Sequence, residues 1–188
     1  MEIEEKQIIQ NCQTGQRQDF GWLYDKYIKK IYNFIYYKTH HRETAEDLTS
    51  QTFFKALRAI DNFDLKKGSF SAWLYRIARN TVTDFYRTQK ADLNIDDVWD
   101  LASDQDTARD AEIQISLAKV KKYLSRLPVE QRDIVMLRVW EGLDYQTISE
   151  IVGKTEASCK MTFSRTVGKM RQELLVATLL LSLTQIVK

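Results

Sequence analysis

One proline, six glycines, two cysteines and two histidines in 188 residues leave little material for several kinds of protein. Strand-rich domains need many turn residues, so the shortage of glycine and proline points to a mostly helical chain. Cys12 and Cys159 stand far apart with no CxxC spacing. That argues against a disulfide framework or a thiolate zinc site and fits a reducing compartment. The histidines, His40 and His41, are adjacent and read as a surface pair in a turn. No nucleophile–base constellation, metal spacing or glycine-rich phosphate loop is present, so no catalytic residue, metal or cofactor is expected. The start, MEIEEKQIIQ, lacks the charged head and apolar run of a signal peptide, and a cytoplasmic protein is expected. The one long apolar run, Leu174 to Val187, falls short of the roughly 20 residues of a spanning helix.

What is present is a large apolar share together with plentiful charges whose signs almost balance. Hydrophobic residues make up 44% of the chain, enough for a buried core, and the net charge is only +2. That small net charge averages over opposed segments. Residues 1–90 are aromatic and basic. Residues 91–110 hold seven aspartates against one arginine, without bulky periodicity, and read as a flexible acidic linker. Residues 111–173 are helical in pattern, and residues 174–188 form an apolar tail. The expected architecture is all-α: two small helical domains, the linker between them, and an apolar helical extension. With so little in the linker to pack, the two domains are expected to move independently.

In the first domain, Phe20, Leu23, Tyr24, Tyr27, Ile31, Phe34 and Ile35 recur at helical spacing. A second helix is expected to start at Thr44 as N-cap, with the core stripe Ala45, Leu48, Phe53, Ala56, Leu57 and Ile60. Its opposite face carries Asp47, Ser50, Gln51 and Phe54, where an aromatic residue among polar ones marks either a partner contact or a chance exposure. A third helix, Ser69 to Arg87, turns Phe70, Trp73, Leu74, Ile77, Val82 and Phe85 inward. Its outward stripe is Arg76, Arg79, Asn80, Thr83 and Arg87, with Tyr75 and Tyr86 toward the same side. Cations attract phosphates and aromatic faces stack on unpaired bases, so this helix suits single-stranded DNA. Lys66 and Lys67 in the preceding loop border a possible pocket for a flipped base.

In the second domain, Pro128 suits the first turn of a helix that Gly142 ends. Asp144 can cap a short helix ending at Gly153, and Thr155 can cap the last helix. A short helix, a tight turn and a second helix form a helix-turn-helix pattern. In the last helix Cys159, Phe163, Thr166 and Met170 share an inward face. Ala157, Ser158, Lys160, Met161, Ser164, Arg165 and Lys169 lie on the other faces and, with Thr155, suit a DNA major groove and its flanking phosphates. An ordinary helical hairpin with a solvated charged face has the same pattern.

Three ordered blocks, Ala45 to Leu57, Phe70 to Asn80 and Arg126 to Gly153, resemble the signatures of the extracytoplasmic-function (ECF) group of sigma-70 factors. The resemblance implies a region 2 helical bundle at 1–90 and a region 4 helix-turn-helix at 111–173. It implies that Asp47, Ser50, Gln51 and Phe54 dock on the clamp coiled coil of core RNA polymerase, whose flap is a second contact. By the same resemblance, Lys66, Lys67, Tyr75, Arg76, Arg79, Asn80, Thr83, Tyr86 and Arg87 hold the melted −10 element of promoter DNA. The helix after Thr155 then reads the −35 element, and the acidic linker threads a basic channel of the polymerase. Members of the group are commonly held by an anti-sigma factor, often membrane-anchored. Ser50 and Gln51 depart from the common glutamine and glutamate; Met161 stands for a small polar residue, and Thr162 and Val167, in place of basic residues, make the last helix less basic than is usual. A stand-alone helix-turn-helix regulator is the alternative, but it leaves the first domain and the linker without a use.

Overall fold

A computed structural model describes residues 2–89, 119–120 and 122–186, with side chains described for 4–88, 119–120 and 122–173. The expected linker, 91–110, lies outside the described residues. So do the side chains of the tail, along which the last helix continues as far as Ile186. Among the described residues every regular element is helical.

Helix α1 (Glu2–Gln13) buries Ile9 and Cys12 against the first lobe. Its last residue, Gln13, donates to the carbonyls of Ile60 (2.9 Å) and Phe63 (2.7 Å), anchoring α1 to a distant loop. Helix α2 (Phe20–Thr39) buries the expected stripe, with one exception: Tyr24 is 42% exposed, its ring edge-on to Phe53. The stripe also runs one step further, to Lys38, which is buried. Residue His40 ends α2 in the left-handed conformation (φ 49°) and His41 starts the next helix.

Helix α3 (Arg42–Ala59) begins two residues before the expected Thr44. The cap is the His41 imidazole, whose Nδ1 accepts from the Thr44 amide at 3.3 Å. The hydroxyls of Thr49 and Thr52 are buried but satisfied, donating to the carbonyls of Ala45 and Leu48 one turn back. A short 3₁₀ turn, Ile60–Asn62, leads to the loop before α4 (Phe70–Gln89). The ammonium of Lys55 on α3 reaches the Thr81 hydroxyl on α4 at 3.1 Å.

In the second lobe, residues 119–120 and 122–125 are helical. Pro128 occupies the cap position, one residue ahead of α5 (Val129–Val139). Helix α6 (Tyr145–Val152) is capped as expected: the Asp144 carboxylate accepts from the Thr147 amide at 2.7 Å. That hydrogen bond holds the Asp144 carboxyl below the usual range. Gly153 closes α6 at φ 73°, a conformation that costs any residue with a Cβ about 1 kcal/mol or more. The hydroxyl of Thr155 then accepts from the Ser158 amide at the start of α7 (Glu156–Ile186).

Helix α5 is buried on more than one side. Five consecutive residues, Asp133 to Leu137, are hidden, because α6 and α7 cover one flank and the first lobe covers another. Helix α6 lies directly on α4. Ile134, Leu137, Ile148 and Ile151 join the same apolar cluster as Phe34, Phe70 and Leu74. The sequence led us to expect domains that move apart, but the two lobes share one core.

Candidate nucleic-acid interface

The first lobe presents two faces. On α3, Asp47, Ser50, Gln51 and Phe54 are all exposed. The ring of Phe54 is 60% exposed, with the Arg58 guanidinium 5.6 Å from its centre. The neighbouring residue, Phe53, packs inward and touches Tyr24, which adds a second exposed aromatic ring beside this surface.

The other face is α4 with the loop before it. Trp73 packs against Phe63 (ring centres 5.0 Å apart) and Phe70 (5.5 Å), giving the loop a rigid aromatic base. The carboxylate of Asp64 accepts from the Lys66 amide at 2.9 Å and fixes the turn. Between loop and helix lies a cavity of about 170 Å³, lined among others by Asn62, Lys67, Ser69, Trp73 and Arg76. Lys66, Lys67, Asn80, Thr83 and Arg87 are exposed to solvent, and Arg87 pairs with Asp84 at 3.2 Å on its own helix.

The remaining members of the expected stripe are engaged by the second lobe. The guanidinium of Arg76 donates to the Glu150 carbonyl. The Nε of Arg79 meets Asp133 Oδ2 at 2.7 Å, and the Lys38 ammonium meets Asp133 Oδ1. Asp133 is fully buried, and burial pushes the Lys38 ammonium below the usual lysine range while Asp133 acts against that shift. The amide of Ser69 donates to the Glu150 carboxylate at 3.2 Å, at the rim of the cavity. A Cβ on Gly68 would stand 2.9 Å from that same carboxylate, the far end of a side chain that can shift aside.

Tyr75 corrects an expectation. It points inward, fully buried, edge-on to Phe34, and its hydroxyl donates to Glu141 at 2.6 Å. Burial and then Glu141 push its phenol up. Burial likewise raises the Glu141 carboxyl, against the lowering effects of Tyr75 and Lys30. As placed here, Tyr75 has no face for a base to stack on. Tyr86 is half-buried, donates to the Lys38 carbonyl at 2.9 Å and is pushed up to about 12 by burial. Sequence reading did not single out Lys38, Asp133, Glu141 or Glu150. A signal existed for Lys38, which continues the Ile31, Phe34, Ile35 spacing. Asp133 offered a weaker one, as a charge directly before the apolar run IVML.

On α7, Thr155, Ala157, Lys160, Met161, Ser164, Arg165 and Lys169 are exposed and Ser158 is half-buried. Cys159 and Thr166 are buried on the opposite face, as expected. Arg165 and Lys169 line a cavity of about 430 Å³ together with Arg126 and Glu173, so they form a cationic flank to the side of the helix start. The start itself offers small polar groups and a 48% exposed Met161.

Comparison with known proteins agrees with this two-lobe arrangement. Two family descriptions match, Sigma-70 region 2 over residues 23–91 and Sigma-70, region 4 over residues 113–170. The ECF RNA polymerase sigma factor BldN of Streptomyces coelicolor is 34% identical over 157 residues, 82% of this chain. The chain covers 60% of that protein's length. The ECF RNA polymerase sigma factor SigW of Bacillus subtilis is 28% identical over 185 residues, 93% of this chain and 98% of SigW. Among solved structures, CnrH in complex with the cytosolic domain of CnrY superposes with a TM-score of 0.67 at 21% identity, covering 90% of this chain and 96% of that one. The sigma factor RpoE in complex with the anti-sigma factor NepR from Bartonella quintana gives 0.63 at 24% identity, with 85% and 98% covered. Both share the fold. The chain belongs to the sigma-70 family of RNA polymerase sigma factors, in its extracytoplasmic-function group.

Proposed function

We propose that this protein is an alternative sigma factor, which binds core RNA polymerase and directs it to promoters with defined −10 and −35 elements. One observation carries the reading: a single lobe joins an exposed Phe54 face on α3 to a cationic α4 with an aromatic-based cavity. The first face is suited to protein and the second to an unpaired strand. Asp47, Ser50, Gln51 and Phe54 dock on the polymerase. Lys66, Lys67, Arg76, Arg79, Asn80, Thr83 and Arg87 hold the −10 strand, with Tyr86 at its margin. Thr155, Ala157, Ser158, Lys160, Met161 and Ser164 face the −35 duplex, and Arg165 and Lys169 meet its phosphates.

We assign residues 1–90 and 111–173 to the two functional domains, 91–110 to the linker and 174–188 to an extension. Polymerase supplies the chemistry, so the chain itself acts as a non-enzymatic specificity factor. Its site of action is the cytoplasm; among the described residues no helix is long and apolar enough to cross a membrane. An anti-sigma factor is the expected regulatory partner, since CnrH and RpoE, which share the fold, were each solved with a bound protein. A stand-alone duplex-binding regulator would leave the Phe54 face and the α4 cavity idle.

Pull-down with bacterial core polymerase tests the reading. Retention of the wild-type chain, with loss on Phe54→Ala, is expected. Binding to duplex DNA with no retention by core polymerase would replace it with the stand-alone regulator.

A further inference from the structure

Helix α1 ends on the loop that walls the α4 cavity. Its last residue, Gln13, has a side-chain amide with two hydrogens, and each meets a carbonyl: Ile60 at 2.9 Å and Phe63 at 2.7 Å. Those carbonyls bracket the 3₁₀ turn Ile60–Asn62, whose own closing bond runs from the Phe63 amide to the Ile60 carbonyl at 3.1 Å. Arg17, just past α1, adds a contact to Asp61 at 2.7 Å. The turn is thus held from outside at Ile60, Asp61 and Phe63. Asn62, Phe63 and Asp64 line the cavity, and the Phe63 ring lies under Trp73. Asn62 is exposed, and its amide can both donate to and accept from a base edge. Helix α1 is itself fixed. Ile9 and Cys12 are buried, and Glu5 takes the Lys26 ammonium and, at 2.8 Å, the Tyr27 hydroxyl. Gln13 and Arg17 both precede the stretch that matches the region 2 description, which begins at residue 23.

We infer that Gln13 is a positioning residue for base selection at the −10 element, with Arg17 as its support. The inference rests on the reading of α4 and its cavity as the −10 site. Neither residue lines the cavity, so each acts through the turn. Selection by the cavity depends on where the Asn62 amide stands, and Asn62 moves with the turn. A displacement of about 1 Å is enough to lose a hydrogen bond to a base. Loss of the Gln13 amide should therefore blur the choice of base while the cations of α4 still hold the strand.

The test uses holoenzyme assembled from bacterial core polymerase and the full-length chain. A template that wild type selects from a randomised promoter library is randomised again through its −10 element, and the run-off products are sequenced. One base contact discriminates by about tenfold, so wild type should show −10 positions with preferences of that size. Gln13→Met keeps a side chain of similar length without an N–H. It should bring one of those positions to within about twofold of parity and leave the others sharp, with retention by core polymerase unchanged. Arg17→Ala should blur the same position less. Glu5→Ala is the control, since it loosens the start of α1 on α2 without touching the turn, and it should keep the wild-type profile. A ratio between bases does not move when only the amount of folded chain falls, so it separates positioning from stability. Circular dichroism checks folding; if Gln13→Met does not fold, Arg17→Ala carries the test from an exposed position. Undiminished preference at every position in a folded variant would overturn the inference and leave the −10 reading standing. So would equal blurring by Glu5→Ala, or loss at every position alike. A wild-type chain that gives no transcript, or transcripts with no −10 preference, would bring down the reading of the cavity and the inference with it.

Discussion

Asp133 on α5 and Lys38 on α2 form a buried ion pair between parts of the chain 95 residues apart, and Arg79 on α4 completes it from the side. A buried carboxylate between two cations is held by charge complementarity and by the shell that excludes water. Removing one member strands the others. Asp133→Ala leaves the Lys38 ammonium and the Arg79 guanidinium facing each other, and breaking such a pair costs about 3–5 kcal/mol. Parting of the lobes returns both cations to water and limits that loss. Amide exchange should therefore accelerate on α4 and α5 while the α3 core around Leu48 and Thr52 stays protected. The apolar set Lys38→Met/Arg79→Met/Asp133→Leu should restore protection, because it removes every charge of the cluster and keeps the packing.

Truncating Phe54 should separate binding from stability. The side chain is mostly exposed, so Phe54→Ala should shift stability by no more than about 0.5 kcal/mol in a thermal melt. Loss of an aromatic anchor from an interface core costs about 2 kcal/mol or more, so affinity for core polymerase should fall by at least about tenfold.

The exposed and engaged arginines of α4 should behave differently. Arg87 is exposed and pairs only locally, with Asp84, among its described ion pairs. Arg87→Ala should weaken promoter opening and lower the slope of log affinity against log salt by about one. Arg79→Glu would set a carboxylate against the buried Asp133, so it should open the lobes as well as weaken DNA binding. Equal salt slopes in wild type and Arg87→Ala would remove Arg87 from the DNA face.

Closure should depend on pH through Glu141. In the closed form burial raises its carboxyl above the ordinary value, against Tyr75 and Lys30, and in the open form it returns to that value. Between the two values the closed form binds more protons, so closure strengthens as pH falls through the raised value. Below the ordinary value the gain is complete. Scattering as the pH is lowered from neutral should show progressive compaction that Glu141→Gln abolishes, since glutamine has no proton to take up.

Helices α2 to α7, most of their caps and the inward stripes were legible from spacing because each depends on neighbours three or four residues away, whereas α1 (Glu2–Gln13) was not read from its sequence. Asp144, Gly153 and Thr155 act as their chemistry dictates. His41 was not legible as a cap, because an imidazole rarely takes that role. Tyr24 and Tyr75 were misplaced for a different reason. Each lies at the border of its stripe, where period alone does not decide which flank is covered. For Tyr75 the cover comes from Glu141, 66 residues away in sequence. The docking of the lobes was hidden as well. It relies on Lys38, Asp133 and Glu150, residue types that ordinarily face solvent, and nothing local shows that they meet.

The most direct measurement is run-off transcription with purified bacterial core polymerase, the full-length chain and a promoter library. A defined transcript that requires the chain, and that fades with Phe54→Ala or Arg87→Ala, is the predicted result. No transcript from any template, with no retention of the chain by core polymerase, would contradict it.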